Sequence, residues 1–114
     1  MAQLPEETIT TVFNSQRRLL AILNQATATD FLILEQYGET EATLIDLEQL
    51  QNVKERADTY YLRFYRLLRQ IAESQPLATS AMLDLLARSI EEAEATVVAL
   101  AASIQEIKQD WNIL

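Results

Sequence analysis

Three observations predict an all-α fold, specifically an antiparallel up-down-up bundle of three long helices with coiled-coil-like packing. The 114-residue chain has one glycine and two prolines, and each stands where a helix should begin or end. Between those breaks, apolar residues recur at helical, near-heptad spacing. The three segments are matched in length and joined by only a few residues, so successive rods fold back on one another.

The first helix is predicted near residues 5–37. Pro5 loses nothing at a first helical position, and Glu6 and Glu7 suit the positive end of the helix dipole. Its expected core stripe is Ile9, Phe13, Gln16, Leu20 and Leu23, then Ala26 or Thr27, then Phe31 and Leu34. A kink or break is expected over residues 27–30, where Thr27, Thr29 and Asp30 lower helix propensity.

Gly38 suits the left-handed residue that closes a helix, and Thr40 can cap the next one, near residues 41–74. In this second helix Leu47, Lys54, Tyr61 and Leu68 alternate with Leu50, Ala57, Phe64 and Ile71, and Val53, Tyr60 and Leu67 broaden one side. Lys54 alone interrupts the seam. Pro76 then opens a third segment, near residues 77–113. There Leu83, Ile90, Val97, Ile104 and Trp111 alternate with Leu86, Ala93, Leu100, Ile107 and Leu114, so that every seam position is apolar. At roughly 1.5 Å per residue each rod is about 50 Å long. No repeat or linker interrupts the pattern, and residues 1–114 read as a single helical-bundle domain whose 49% apolar content can fill a core.

Composition removes much chemistry. The chain has no histidine and no cysteine, so the commonest general base, the usual transition-metal ligands and the thiolate nucleophile are missing. A single glycine rules out a glycine-rich phosphate loop. The 17 acids lack the alternating spacing of a calcium loop. No cofactor or metal is therefore expected. The N-terminus lacks a long apolar run, and the longest purely apolar stretch is the FLIL of residues 31–34, so the chain reads as a cytoplasmic protein that does not enter a membrane.

The formal charge of -8 repels nucleic acid and anionic surfaces unless a local patch overcomes it. Residues 54–70, KERADTYYLRFYRLLRQ, form such a patch, with five of the nine Lys and Arg and four aromatic residues. At about 100° per residue, Arg56 and Arg63 fall on one shoulder of the second helix's apolar arc, Arg66 points away from it and Arg69 lies toward the other shoulder. Tyr60, Tyr61 and Phe64 fall within the arc, which leaves Tyr65 at its margin. Arg56, Arg63, Arg66, Arg69 and Tyr65 are thus the candidate partner contacts. The competing reading is that neighbouring helices neutralise them, because folding back at Pro76 brings Glu91, Glu92 and Glu94 to their level.

Excess apolar side chains supply a second candidate. FLIL makes the first helix apolar all round at one level, and Ile22, Leu62, Leu85, Val98 and Ile113 fall off the main stripes. A helix apolar on every side is buried on two sides, which points to a homo-oligomer, a dimer first, with Ile22, Leu32 and Ile33 at its interface. Lys54 in a seam and Gln16 in the facing stripe either fix register or, for Lys54, carry the ammonium out to water along an apolar stem.

The function these features favour is a non-enzymatic bundle that acts through protein–protein interaction, as an adaptor, assembly factor or regulator. The alternative is a small all-helical site in which Arg17, Arg18, Lys54 and Arg56 hold a compact dianion. A further one is weak nucleic-acid binding along residues 56–69.

Overall fold

A computed structural model of the chain describes residues 4–113, and those residues form three helices: α1 (Glu6–Tyr37), α2 (Glu41–Glu73) and α3 (Ser80–Asp110). Each packs against the other two around one apolar core, giving a rod of 56 × 19 × 17 Å. This is the predicted three-helix bundle. The seam residue Leu114 lies outside the described residues.

Local chemistry accounts for the boundaries. Thr40 and Thr43 form a reciprocal capping box at the start of α2: the Thr43 N–H donates to Thr40 Oγ1 at 3.1 Å, and the Thr40 N–H donates to Thr43 Oγ1 at 2.8 Å. The Thr43 hydroxyl also donates to the Gly38 carbonyl at 2.8 Å, so a buried threonine ties the turn to the helix it starts. α3 begins three residues later than expected. Pro76 and its neighbours form a loop, and Thr79 caps the helix by accepting from the Met82 N–H at 3.2 Å. At the far end Asn112 takes φ 55°, and the Ile113 N–H donates back to the Lys108 carbonyl at 2.8 Å. Asparagine is the non-glycine residue best suited to that conformation.

Gly38 closes α1, but with φ 76° and ψ -179° it lies beyond the ordinary left-handed helical region. That combination is essentially restricted to glycine and costs other residues about 1–3 kcal/mol. The space around it is open, so the cost of a side chain is backbone strain alone. Gly38→Ala is accordingly expected to lower unfolding free energy by about 1–3 kcal/mol with helicity unchanged, as read from urea titration.

Two expectations for the first helix are corrected. α1 runs unbroken through residues 27–30. Thr29 is buried there because its hydroxyl donates to the Gln25 carbonyl at 2.8 Å, which satisfies it without breaking the helix. The larger correction concerns phase. The buried stripe is Val12, Ser15, Leu19, Ile22, Ala26, Thr29 and Ile33, while Phe13, Leu20, Phe31 and Leu34 are exposed. The core-facing side of α1 is therefore rotated by about one residue, close to 100°, from the predicted stripe. Ile22 and Ile33, expected at an oligomer interface, are 3% and 0% exposed inside the bundle, and Leu32 is half-buried against the same core. The bundle already uses these three side chains.

α2 and α3 keep their predicted phases. Leu50, Ala57, Phe64, Leu68 and Ile71 are buried on α2, and Leu86, Ala93, Val97, Leu100, Ile104 and Ile107 on α3. The core also encloses Ser89, whose hydroxyl has no partner among the described residues.

Candidate functional site

The basic window of α2 is divided by its neighbours. Arg63 lies toward α3, where its guanidinium meets Glu92 Oε2 at 3.2 Å and sits 4.8 Å from the ring centre of Tyr60. The Tyr60 hydroxyl donates to the same carboxylate oxygen at 3.4 Å. Of the three glutamates predicted at this level, Glu92 alone reaches the strip among the described residues, while Glu91 and Glu94 are exposed. Arg69 pairs with Glu73 one turn along its own helix at 3.3 Å. Both pairs are solvent-exposed contacts of a kind that contributes about 0–1 kcal/mol. Arg56 and Arg66 are exposed and take part in no ion pair among the described residues.

Arg56 borders a groove of about 560 Å³ between α2 and α3, with Gln49, Asn52, Thr59 and Ser103 on its sides and Val53 and Leu100 below. Arg66 borders a second groove with Arg63, Gln70 and Leu85. The cations proposed for a small dianion are spread over different surfaces. Lys54 lies in a crevice with Leu23 on the α1 side of the helix, Arg56 faces α3, and Arg17 and Arg18 are exposed on α1. No group of His, Cys, Asp or Glu side chains among the described residues is arranged to hold a metal ion.

Two polar contacts set the register of α1 against α2. Lys54 Nζ reaches Asp30 Oδ2 at 3.4 Å, both side chains being about three-quarters buried, and Gln16 Nε2 donates to the Tyr61 carbonyl at 3.4 Å. Lys54 thus lays its stem along the core as expected, but its ammonium ends on a carboxylate of α1. Near the α1–α2 turn, the Trp111 indole N–H donates to Asp46 Oδ2 at 2.7 Å. The Tyr37 hydroxyl donates to the Trp111 carbonyl at 2.8 Å, and the two rings stand 4.9 Å apart. This clamp fastens the end of α3 to both other helices. The seam pattern placed Trp111 correctly, but its partners lie 65 and 74 residues away in sequence, a distance that helical periodicity does not span.

The surface that sequence reasoning misplaced is the outer face of the α1–α2 pair. Phe13, Leu20, Phe31 and Leu34 of α1 are 43–62% exposed, and Leu62 and Tyr65 of α2 are 43% and 55% exposed. The Gln16–Tyr61 contact brings Phe13 level with Tyr65, and the turn at Gly38 brings Leu34 level with Leu44, which is also exposed. The apolar surface therefore runs along the rod. The sequence signal for it was present: two apolar stripes lie side by side on the first helix, and only one can face inward.

Fold and surface together define an all-α, antiparallel three-helix bundle with a complete core and a further apolar stripe outside it. No family model, curated protein or solved structure matches the chain. No helix among the described residues is long and apolar enough to cross a membrane.

Proposed function

We propose that this chain is a non-enzymatic helical bundle that acts through protein–protein interaction, self-associating through one face and engaging an acidic protein surface through another. The observation that carries this reading is the row of large apolar side chains left outside the core. Exposed apolar side chains that gather on one face mark interaction sites, whereas isolated ones do not. Arg56 and Arg66 supply the second element. They are exposed cations without an ion-pair partner among the described residues, on a body whose formal charge is -8. A compact anionic patch on another protein satisfies both, and long-range attraction toward them operates locally even though the molecule as a whole is acidic.

Affinity capture from native lysate tests this. The wild-type chain is expected to retain a protein partner in a salt-sensitive manner, and the Arg56→Glu/Arg66→Glu variant to lose it while keeping its circular dichroism spectrum. Unchanged capture by the variant would remove these arginines from the function.

A further inference from the structure

We propose that the α1–α2 face is a homodimer interface, closed by a second copy of this chain running antiparallel about a two-fold axis. This rests on the self-association in the functional reading above and specifies its surface, geometry and register. Three features of the face point to a second copy.

The first is apolar spacing that matches its own reverse. Phe13, Leu20 and Leu34 of α1 fall at whole heptads, with Phe31 beside them, so they line one side of the helix at about 3.5 residues per turn. Reversing the stripe about a point near Leu23 and Asn24 lays Phe13 on the partner's Leu34 and brings Leu20 within about one helical turn of the partner's Phe31. On α2 the same operation lays Tyr65 on the partner's Leu44, because those two residues are level with Phe13 and Leu34. Isologous contacts of this kind are how two-fold dimers pair.

The second is charge. On each rim of the face an arginine toward one end is matched by a glutamate toward the other, in the same direction. Along α1, Arg17 is toward the end near Phe13 and Glu35 at the end near Leu34, while along α2, Arg69 and Glu41 repeat that polarity. All four are exposed. Arg69 also holds Glu73 at 3.3 Å, an exposed contact that leaves its guanidinium accessible. An antiparallel copy sets Arg17 toward the partner's Glu35 and Arg69 toward the partner's Glu41. A parallel copy brings the basic ends together and the acidic ends together. Charge therefore selects both the partner and its direction.

The third is extent. The rod measures 56 × 19 × 17 Å, so one long side offers an area comparable to the roughly 800 Å² per partner of a standard stable interface.

Sedimentation equilibrium is the primary test. At tens of micromolar the wild-type chain is expected to show twice the 13.0 kDa chain mass, and a monomer there overturns the proposal. Leu20→Glu/Phe31→Glu changes two exposed side chains, so it is expected to keep its helicity and sediment as a monomer; a persistent dimer would mean that another surface is used. Arg17→Glu/Arg69→Glu and Glu35→Arg/Glu41→Arg are each expected to weaken self-association by about tenfold or more, with tight association restored when the two are mixed. Failure of the mixture to associate would overturn the charge pairing. Direction is read by Asn24→Cys in a chain with no other cysteine. An antiparallel dimer brings the two thiols together and cross-links on mild oxidation, whereas a parallel one sets α1 against the partner's α2 and does not. Arg56 and Arg66 are untouched in all these variants, so loss of partner capture and loss of the dimer are separate results.

Discussion

Leu19→Ala is expected to lower the unfolding free energy by about 2–5 kcal/mol, and the neighbouring Leu20→Ala by no more than about 0.5 kcal/mol. The pair is a direct test of the phase of α1. Leu19 is 0% exposed in the core and Leu20 is 50% exposed. Truncating Leu19 removes buried methyl groups and leaves a cavity that close-packed neighbours can only partly fill, so a transfer cost and a cavity cost add. Truncating Leu20 removes atoms that water already reaches. Both should be measured by chemical denaturation at sub-micromolar chain concentration, because a dimer that uses Leu20 adds stability by mass action at higher concentration. A larger loss in Leu20→Ala than in Leu19→Ala would place α1 in the other phase and bury the stripe on which the dimer depends.

That pair also marks what was legible in the sequence. The number and order of the helices and the ends of α1 and α2 followed from sparse punctuation, because Gly38 and Thr40 act through local backbone chemistry, whereas α3 starts and stops three residues inside its predicted span. The phases of α2 and α3 followed from a single dominant stripe on each. α1 carries two stripes one residue apart, and the exposed one, with Phe13, Leu20, Phe31 and Leu34, is the more hydrophobic. Total hydrophobicity therefore pointed the wrong way. The deciding signal was regularity and size. Val12, Ser15, Leu19, Ile22, Ala26, Thr29 and Ile33 keep an unbroken alternation of three- and four-residue steps, the spacing a bundle seam requires. Ser15, Ala26 and Thr29 are also small enough for close helix approach, as Ala57, Ser89 and Ala93 are on the other helices.

The candidate contact residues were legible only in part for the same reason. Projection around one helix separated Arg56, Arg63, Arg66 and Arg69 from the core correctly, because that requires nothing beyond helical geometry. It could not assign partners across helices. Whether Glu91, Glu92 or Glu94 meets Arg63 depends on rotations of a few tens of degrees between α2 and α3, which a three-residue spread of glutamates leaves open. In the folded chain Glu92 takes Arg63, and Arg56 and Arg66 have no ion-pair partner among the described residues. Similarly, Ile22 and Ile33 fall on an outer surface only if the stripe of Phe13, Leu20, Phe31 and Leu34 faces inward, and both are buried.

The same contrast between adjacent residues recurs in α2. Phe64→Ala is expected to cost about 3–5 kcal/mol, the range for emptying a buried aromatic site, and Tyr65→Ala to cost no more than about 0.5 kcal/mol in the dilute monomer. Phe64 is 0% exposed and ranks first by volume among the fully buried side chains, whereas Tyr65 is 55% exposed. Phe64 also lies within the segment that displays the arginines, with Arg63 immediately before it and Arg66 two residues after. Its ring anchors that stretch of α2 to the core, and the position of the Arg63 guanidinium over Tyr60 and against Glu92 depends on the anchored backbone. Phe64→Leu keeps most of the volume and is expected to retain both stability and partner capture, while Tyr65→Ala keeps the monomer fold and weakens the dimer by removing the contact with the partner's Leu44. Urea titration of the three variants at low concentration, followed by sedimentation at high concentration, separates the two roles. A Tyr65→Ala variant that lost several kcal/mol as a monomer would place that ring in the core and withdraw it from the dimer face.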